Sequence, residues 1–133
     1  MIRNVLADTG PLYALADPSD QFHERAAAEL EAIERRGFSV VVSYATLCEA
    51  QTLVLRRLGI SYARQWLAEI LGGANVLNPE PSDYRLAAAQ LGGLADQPIT
   101  LVDAVTAVIS GRLKIPVWSF DRHFTDMRAK LWR

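Results

Sequence analysis

Four acids in this sequence stand where a carboxylate needs a reason. Asp8 follows directly on the apolar run IRNVLA, and Asp121 directly on IPVWSF. Asp103 opens TLVDAVTAVIS, a segment otherwise built of Val, Ala, Leu and Ile with a few small hydroxyl residues. Glu49 lies midway along a helix-forming stretch from Ser43, with Ala45 and Leu53 one turn away and Leu47, Val54 and Leu58 on the main apolar stripe. Carboxylates in such surroundings are expensive unless something positive meets them. Were the four to converge, mutual repulsion would reach about 4 kcal/mol per pair at roughly 4 Å and an effective dielectric of about 20. Only cations make such a cluster tolerable. Hard oxygen ligands select Mg²⁺ or Mn²⁺ over zinc, and a carboxylate-held divalent site most often serves phosphate chemistry. The two histidines, His23 and His123, are too far apart to form a local motif, and the single cysteine, Cys48, excludes an intrachain disulfide and any multi-cysteine zinc site.

Each acid also has a purely structural reading. Thr100 followed three residues later by Asp103 has the form of a capping box, and an acid in a first turn suits the helix dipole. Aspartate commonly ends strands as a turn former, which covers Asp8 and Asp121. Glu49 can be a surface residue paired with Arg56 or Arg57. On the other side, the face running from Asp103 through Thr106, Ala107 and Ser110 is small, which leaves room for an approach to the carboxylate. The residues alone keep both readings open.

The elements that would position these acids follow from apolar patterning. Strands are expected at 2–7, 38–43, 74–79 and 115–120, each apolar on both faces. Helices are expected at 20–36, with Phe22, Ala26, Leu30 and Ile33 on one stripe and Gly37 as the stop, from Ser43 to about 57 with Gly59 as the stop, at 61–71, from Pro81 to Leu94, and at 101–113. DTGP after the first strand reads as a turn. Strands alternating with helices give an α/β fold, a mostly parallel sheet covered on both sides. Ligands of such sheets bind beyond the carboxyl ends of the strands, where Asp8 and Asp121 fall.

At 133 residues and 50% hydrophobic, with no repeat or linker-like tract, the chain reads as a single domain over 1–133. Fourteen basic against fifteen acidic residues do not indicate a protein that coats polyanions, and leave room for a local basic patch. The best one is C-terminal: Arg112, Lys114, Arg122, Arg128, Lys130 and Arg133. Trp118 and Trp132 lie nearby, Trp118 reading as core. Cys48, within an apolar helical pattern, reads as a buried inert thiol, and His123 as structural or surface. The N-terminal apolar run is too short for a signal peptide and no window reaches transmembrane length, so a soluble cytoplasmic protein with no membrane association is expected.

The motifs VLADTGPLYAL, DQFHERAAAEL, SYATLCEA, TLVDA and SFDRHF, in this order over nearly the whole chain, resemble PIN-domain ribonucleases, and most of all the VapC-type toxins of bacterial toxin–antitoxin pairs. The resemblance implies a three-layer α/β/α PIN-like domain. It also implies a catalytic quartet at Asp8, Glu49, Asp103 and Asp121, the same residues holding one or two Mg²⁺ or Mn²⁺ ions. Thr9 and Thr100 match the hydroxyl residues that support those ligands. Asp126 is a fifth acid or, as favoured, a surface residue. Gly10 departs from the hydroxyl or amide residue usual two places after the first acid. The implied reaction is hydrolysis of RNA, transfer or ribosomal, by metal-activated water, with Arg112, Lys114, Arg122 and Arg128 as RNA contacts. A cognate antitoxin and homodimerisation are implied too, and the apolar helix at 61–71, with Trp66, Leu67, Ile70 and Leu71, belongs to that interface or to the core. The competing reading is a non-catalytic PIN-like module that binds protein or RNA. A phosphoaspartyl enzyme fits poorly, because residue 10 is Gly and Lys114 precedes the last strand. A nucleotide-dependent oxidoreductase fits poorly because no Gly-rich loop follows the first strand.

Overall fold

The structure, a computed structural model describing residues 3–133, is a parallel sheet with helices on both faces. Its elements run β1 (Arg3–Ala7), α1 (Thr9–Ala16), α2 (His23–Arg35), β2 (Phe38–Ser43), α3 (Tyr44–Leu58), α4 (Ile60–Gly73), β3 (Asn75–Leu77), α5 (Pro81–Gly92), α6 (Leu101–Leu113), β4 (Val117–Trp118) and α7 (His123–Asp126). The strand order is β3-β2-β1-β4, with every pairing parallel. The chain first builds outward from β1 through β2 to β3, then crosses back to set β4 on the other side of β1. That reversal makes the β1/β4 boundary the switch point of the sheet.

Alternation along β1 explains the layering. Val5 and Ala7 enter one core with Leu12 and Tyr13 of α1, Ile33 of α2, Leu47 and Val54 of α3, and Trp66 of α4. Leu6 points the other way, into a core with Ala87 of α5, Val105 and Ile109 of α6, Val117 and Phe124. A strand wanted by apolar layers on both sides needs no polar face, which is why these strands read as continuous apolar runs. The expected α/β/α architecture is therefore the one observed. Gly37 and Gly59 sit just beyond α2 and α3 with φ of 81° and 93°, the left-handed region in which helices commonly stop.

Several sequence expectations change. Ile2, placed in the first strand, lies outside the described residues. DTGP is not a free turn: Thr9–Ala16 forms a helix. Pro11 occupies its first turn, where a missing N–H costs nothing because no helical carbonyl precedes it. The strands at 74–79 and 115–120 contract to Asn75–Leu77 and Val117–Trp118, and the four-residue α7 is unforeseen. Cys48 is exposed. The buried positions of α3 are Thr46, Leu47, Ala50 and Val54, and residue 48 lies off that stripe. The small residues of α6 leave no opening, since Thr106, Ala107 and Ser110 are buried. Thr106 Oγ1 lies 3.5 Å from Thr46 Oγ1 of α3, and the Ser110 hydroxyl donates to the Ile115 carbonyl at 2.6 Å. Their size serves close packing of α6.

Two further ties hold the frame. Buried Asp83 of α5 receives Nε and Nη2 of Arg112 at 2.9 and 2.8 Å, and its Oδ2 also accepts the Glu80 amide at 2.8 Å, pinning α5 to α6. Beyond α7 the chain runs beside β4: the Val117 amide donates to the Lys130 carbonyl and the Trp132 amide to the Val117 carbonyl, both at 2.8 Å. This covers an edge that would otherwise present unpaired backbone groups. Trp118 is core, as expected, with Nε1 donating to Glu29 at 2.8 Å. In α4, Trp66 is buried while Leu71 is exposed. Among the described residues, no helix is long and apolar enough to cross a membrane.

Candidate active site

Because β1 and β4 run parallel in register (Leu6 beside Val117, Ala7 beside Trp118), the residues after both strands emerge side by side. The ladder's last bond joins the Asp8 amide to the Trp118 carbonyl at 2.9 Å. Asp8 is the N-cap of α1, a position where aspartate normally caps with its side chain. Here it makes no side-chain cap bond. The residue is 6% exposed; Oδ2 accepts the Ser119 hydroxyl at 2.8 Å, and Oδ1 is buried with no partner. Burial pushes its pKa up from the ordinary 3.8 to about 7. Repulsion from Asp103 and Asp121 adds to the rise, and the Ser119 hydroxyl and Thr9 amide pull against it.

Ser119 also fixes Asp121, whose amide donates to the Ser119 oxygen at 2.9 Å. One hydroxyl thus holds both strand-end acids in register. Asp121 Oδ1 accepts the His123 amide at 2.9 Å and lies 3.1 Å from His123 Nδ1, which gives His123 a structural position at the start of α7.

Asp103 is the capping residue that its spacing from Thr100 suggests, and it faces the other acids as well. With Thr100 it forms a reciprocal capping box: the Asp103 amide donates to Thr100 Oγ1 at 3.1 Å, and the Thr100 amide donates to Asp103 Oδ2 at 3.2 Å. It also lines, with Asp8, Glu49 and Asp121, a single cleft of about 520 Å³ beyond the carboxyl ends of β1 and β4. Glu49 reaches that cleft from α3, and among the described residues no salt bridge ties it to Arg56 or Arg57. Asp126 is exposed, away from the cleft lining.

The same cleft holds residues that sequence reasoning passed over. Asp20 is a fifth acid in its lining, its Oδ2 accepting the Phe22 amide at 2.9 Å in the turn before α2. An Asx-turn two residues ahead of that helix was the available signal. Ser119 had no signal, because its role depends on β4 lying beside β1. Arg57 and Arg122 line the cleft as its cations, and Tyr13, Phe22 and Phe120 as its aromatics. Thr9 lines it too, with a buried hydroxyl that has no partner. Thr100 is exposed and occupied by its cap. Of the four expected RNA contacts, only Arg122 is in the cleft. Arg112 is engaged by Asp83 at the far end of α6 from Asp103, Lys114 caps that same end, and Arg128 is exposed outside the lining.

The donor set suits a hard divalent cation. A buried carboxylate with an orphaned oxygen, facing two more acids that raise its proton affinity, is stabilised by any positive charge that enters. Among the described residues no three His, Cys, Asp or Glu side chains are grouped so as to hold a metal ion between them. Mg²⁺ does not require such a group, since it keeps several of its waters and takes one or two carboxylates.

The PIN domain family model matches residues 5–130 of the chain. Among characterised proteins, ribonuclease VapC26 of Mycobacterium tuberculosis is 30% identical over 127 residues, covering 93% of this chain and 92% of that protein. Among solved structures, VapC20 of Mycobacterium tuberculosis, a sarcin–ricin loop cleaving toxin, superposes with a TM-score of 0.83 at 23% identity, over 97% of this chain and 98% of that one. VapBC2 of Rickettsia felis, solved bound to a DNA fragment from its promoter, gives a TM-score of 0.74 at 13% identity over 100% and 98%.

Proposed function

The chain belongs to the PIN-domain family as a VapC-type ribonuclease, and from that premise we propose that it is an Mg²⁺- or Mn²⁺-dependent endoribonuclease hydrolysing RNA phosphodiester bonds. The observation that carries this reading is the buried Asp8 carboxylate, with one oxygen unpartnered in a cleft shared with Asp103, Asp121 and Glu49. Asp8, Asp103 and Asp121 would hold one or two ions, which would neutralise charge at the scissile phosphate and acidify water in the cleft. Glu49 completes the ligand set directly or through water and orients the attacking water. Ser119 holds Asp8 and Asp121 in place, Thr100 holds Asp103 through the cap, and Thr9 supports Asp8 through its amide. No histidine base is required. Arg122 offsets phosphate charge at the cleft, while Arg128 and Lys114 serve only an RNA long enough to reach beyond it.

The role that fits is the toxin of a type II toxin–antitoxin pair, acting in the cytoplasm as a homodimer restrained by a cognate antitoxin. Transfer and ribosomal RNA are the proposed substrates. A non-catalytic PIN-like binding module is the second reading, favoured by the lack of a ready-made metal cage among the described residues. End-labelled transfer RNAs and ribosomal fragments, the sarcin–ricin loop among them, incubated with Mg²⁺, Mn²⁺ or chelator separate the two. Discrete cuts lost with chelator and with folded Asp103→Asn protein support the nuclease. Wild-type protein that neither binds Mn²⁺ nor cuts RNA is the module.

A further inference from the structure

We infer that Phe22 and Phe120 form a stacking shelf for one unpaired base of the RNA strand whose phosphate lies at the acids. This rests on the nuclease reading for the nature of the ligand.

Both rings line the acid cleft. Phe120 stands between Ser119, which holds the Asp8 carboxylate, and Asp121 itself, so the shelf begins one residue from the proposed metal ligands. Its ring centroid is 5.1 Å from that of Phe22, the two planes tilted by 33°. The Arg25 guanidinium sits 4.5 Å from the Phe120 centroid. On its inner side Phe120 rests against the start of α1, where a Cβ at Gly10 would come within 3.6 Å of the ring. Phe120 is thereby fixed. Phe22 is not enclosed: as the N-cap residue of α2 it leaves the apolar stripe that Ala26 and Ile33 bury, and 38% of it remains exposed at the cleft edge.

Packing alone explains the contact between the rings but not the open surface that Phe22 keeps beside a polar cleft. A large aromatic at the lip of a charged cleft, backed by a second ring with arginine on it, has the composition of a single-strand platform. Such platforms combine π-faces for bases with cations for the backbone, and they hold bases of any sequence. Arg122, next in sequence to Asp121, supplies a cation on the same lip. A paired base presents no free face to such a shelf, so the enzyme takes its substrate where one nucleotide beside the cut is unstacked, in a loop, bulge or single strand.

The test is binding of fluorescently labelled single-stranded RNA dodecamers to the full chain at pH 6 in chelator, where no metal-dependent cutting intervenes, each RNA carrying one abasic position. Phe22→Ala is expected to bind intact RNA about 5- to 150-fold more weakly, with Phe22→Trp near wild type. In wild type one abasic position gives a comparable loss. In Phe22→Ala that position gives no additional loss, while charge-driven binding elsewhere is unchanged. Wild-type affinity in Phe22→Ala, an unchanged abasic profile, or no RNA binding by wild type each overturns the shelf. The shelf and the nuclease reading fail separately: a shelf that passes in chelator stands even if no metal-dependent cutting is found, and cutting that persists with no abasic effect leaves the nuclease standing without the shelf.

Discussion

Replacing Asp8 by Asn sets stability against function in a direction that can be worked out. The gap between the ordinary 3.8 and about 7, at about 1.4 kcal/mol per pH unit, makes the ionised Asp8 carboxylate a burden of about 4 kcal/mol on the metal-free fold. Between those values the folded chain binds the proton more tightly than the unfolded chain does. Metal-free stability therefore falls as pH rises from about 4 to about 7 and is level above that. Asparagine is neutral throughout. Its oxygen keeps the Ser119 hydroxyl, while its amide nitrogen takes the place of the unpartnered oxygen at a cost of about 1–3 kcal/mol. At pH 8 in chelator, Asp8→Asn protein is thus expected to be about 1–3 kcal/mol more stable, a rise in Tm of about 4–10 °C for a domain of this size. The advantage vanishes near pH 5, where wild-type Asp8 is protonated. Adding Mn²⁺ at pH 8 to about 1,000 times its Kd reverses the order: the wild type gains about 4.1 kcal/mol, and the variant gains little. Thermal melts over pH 5–8, with chelator and with Mn²⁺, read all of this. A variant less stable than wild type at pH 8 in chelator, or an advantage that does not change with pH, refutes the reasoning.

Arg112→Ala strands the buried Asp83 carboxylate and is expected to cost about 2–4 kcal/mol in urea melts at pH 7. The Arg112 guanidinium holds Asp83 below its ordinary pKa, so this stability is present above the ordinary carboxylate range and lost as pH falls through the folded value; wild type and variant should converge in strong acid. Ser119→Ala removes the hydroxyl shared by Asp8 and the Asp121 amide. Isothermal titration should show Mn²⁺ binding weaker by about 10- to 100-fold, with its pH midpoint moved upward because a bond that lowers the Asp8 pKa is gone. Cys48, exposed on α3, should be labelled by a thiol reagent in the native protein without unfolding; protection in the monomer would contradict its placement.

The acids themselves were legible because each broke a local pattern. Asp8 and Asp121 end apolar strands, Asp103 opens an apolar helix, and Glu49 interrupts another. Their convergence was legible only at the level of topology, as the carboxyl ends of parallel strands. What supports them was not. Ser119 gains its role from the β1/β4 pairing, a contact 111 residues long in sequence, and Asp20 and Phe22 depend on how the loop before α2 folds over the cleft. Thr9–Ala16 reads as a turn in sequence because Gly and Pro are strong turn formers, yet both are tolerated in the first turn of the helix they form. Cys48 escapes sequence reasoning because α3 is apolar on more than one side, so composition alone does not say which side is buried. Arg112 shows the converse limit: a cation in a basic stretch is spoken for by a carboxylate 29 residues earlier.

The pairing of β1 with β4 also sets an order of events during synthesis. Asp8 is made early and waits while β2, β3 and six helices are laid down; Ser119 and Asp121 arrive more than a hundred residues later. Until that last strand docks, Asp8 has neither its hydroxyl partner nor its neighbouring acid, and the cleft does not exist. Contacts this distant in sequence form late and slowly. Nascent chains and products of premature termination before Ser119 are accordingly devoid of the site.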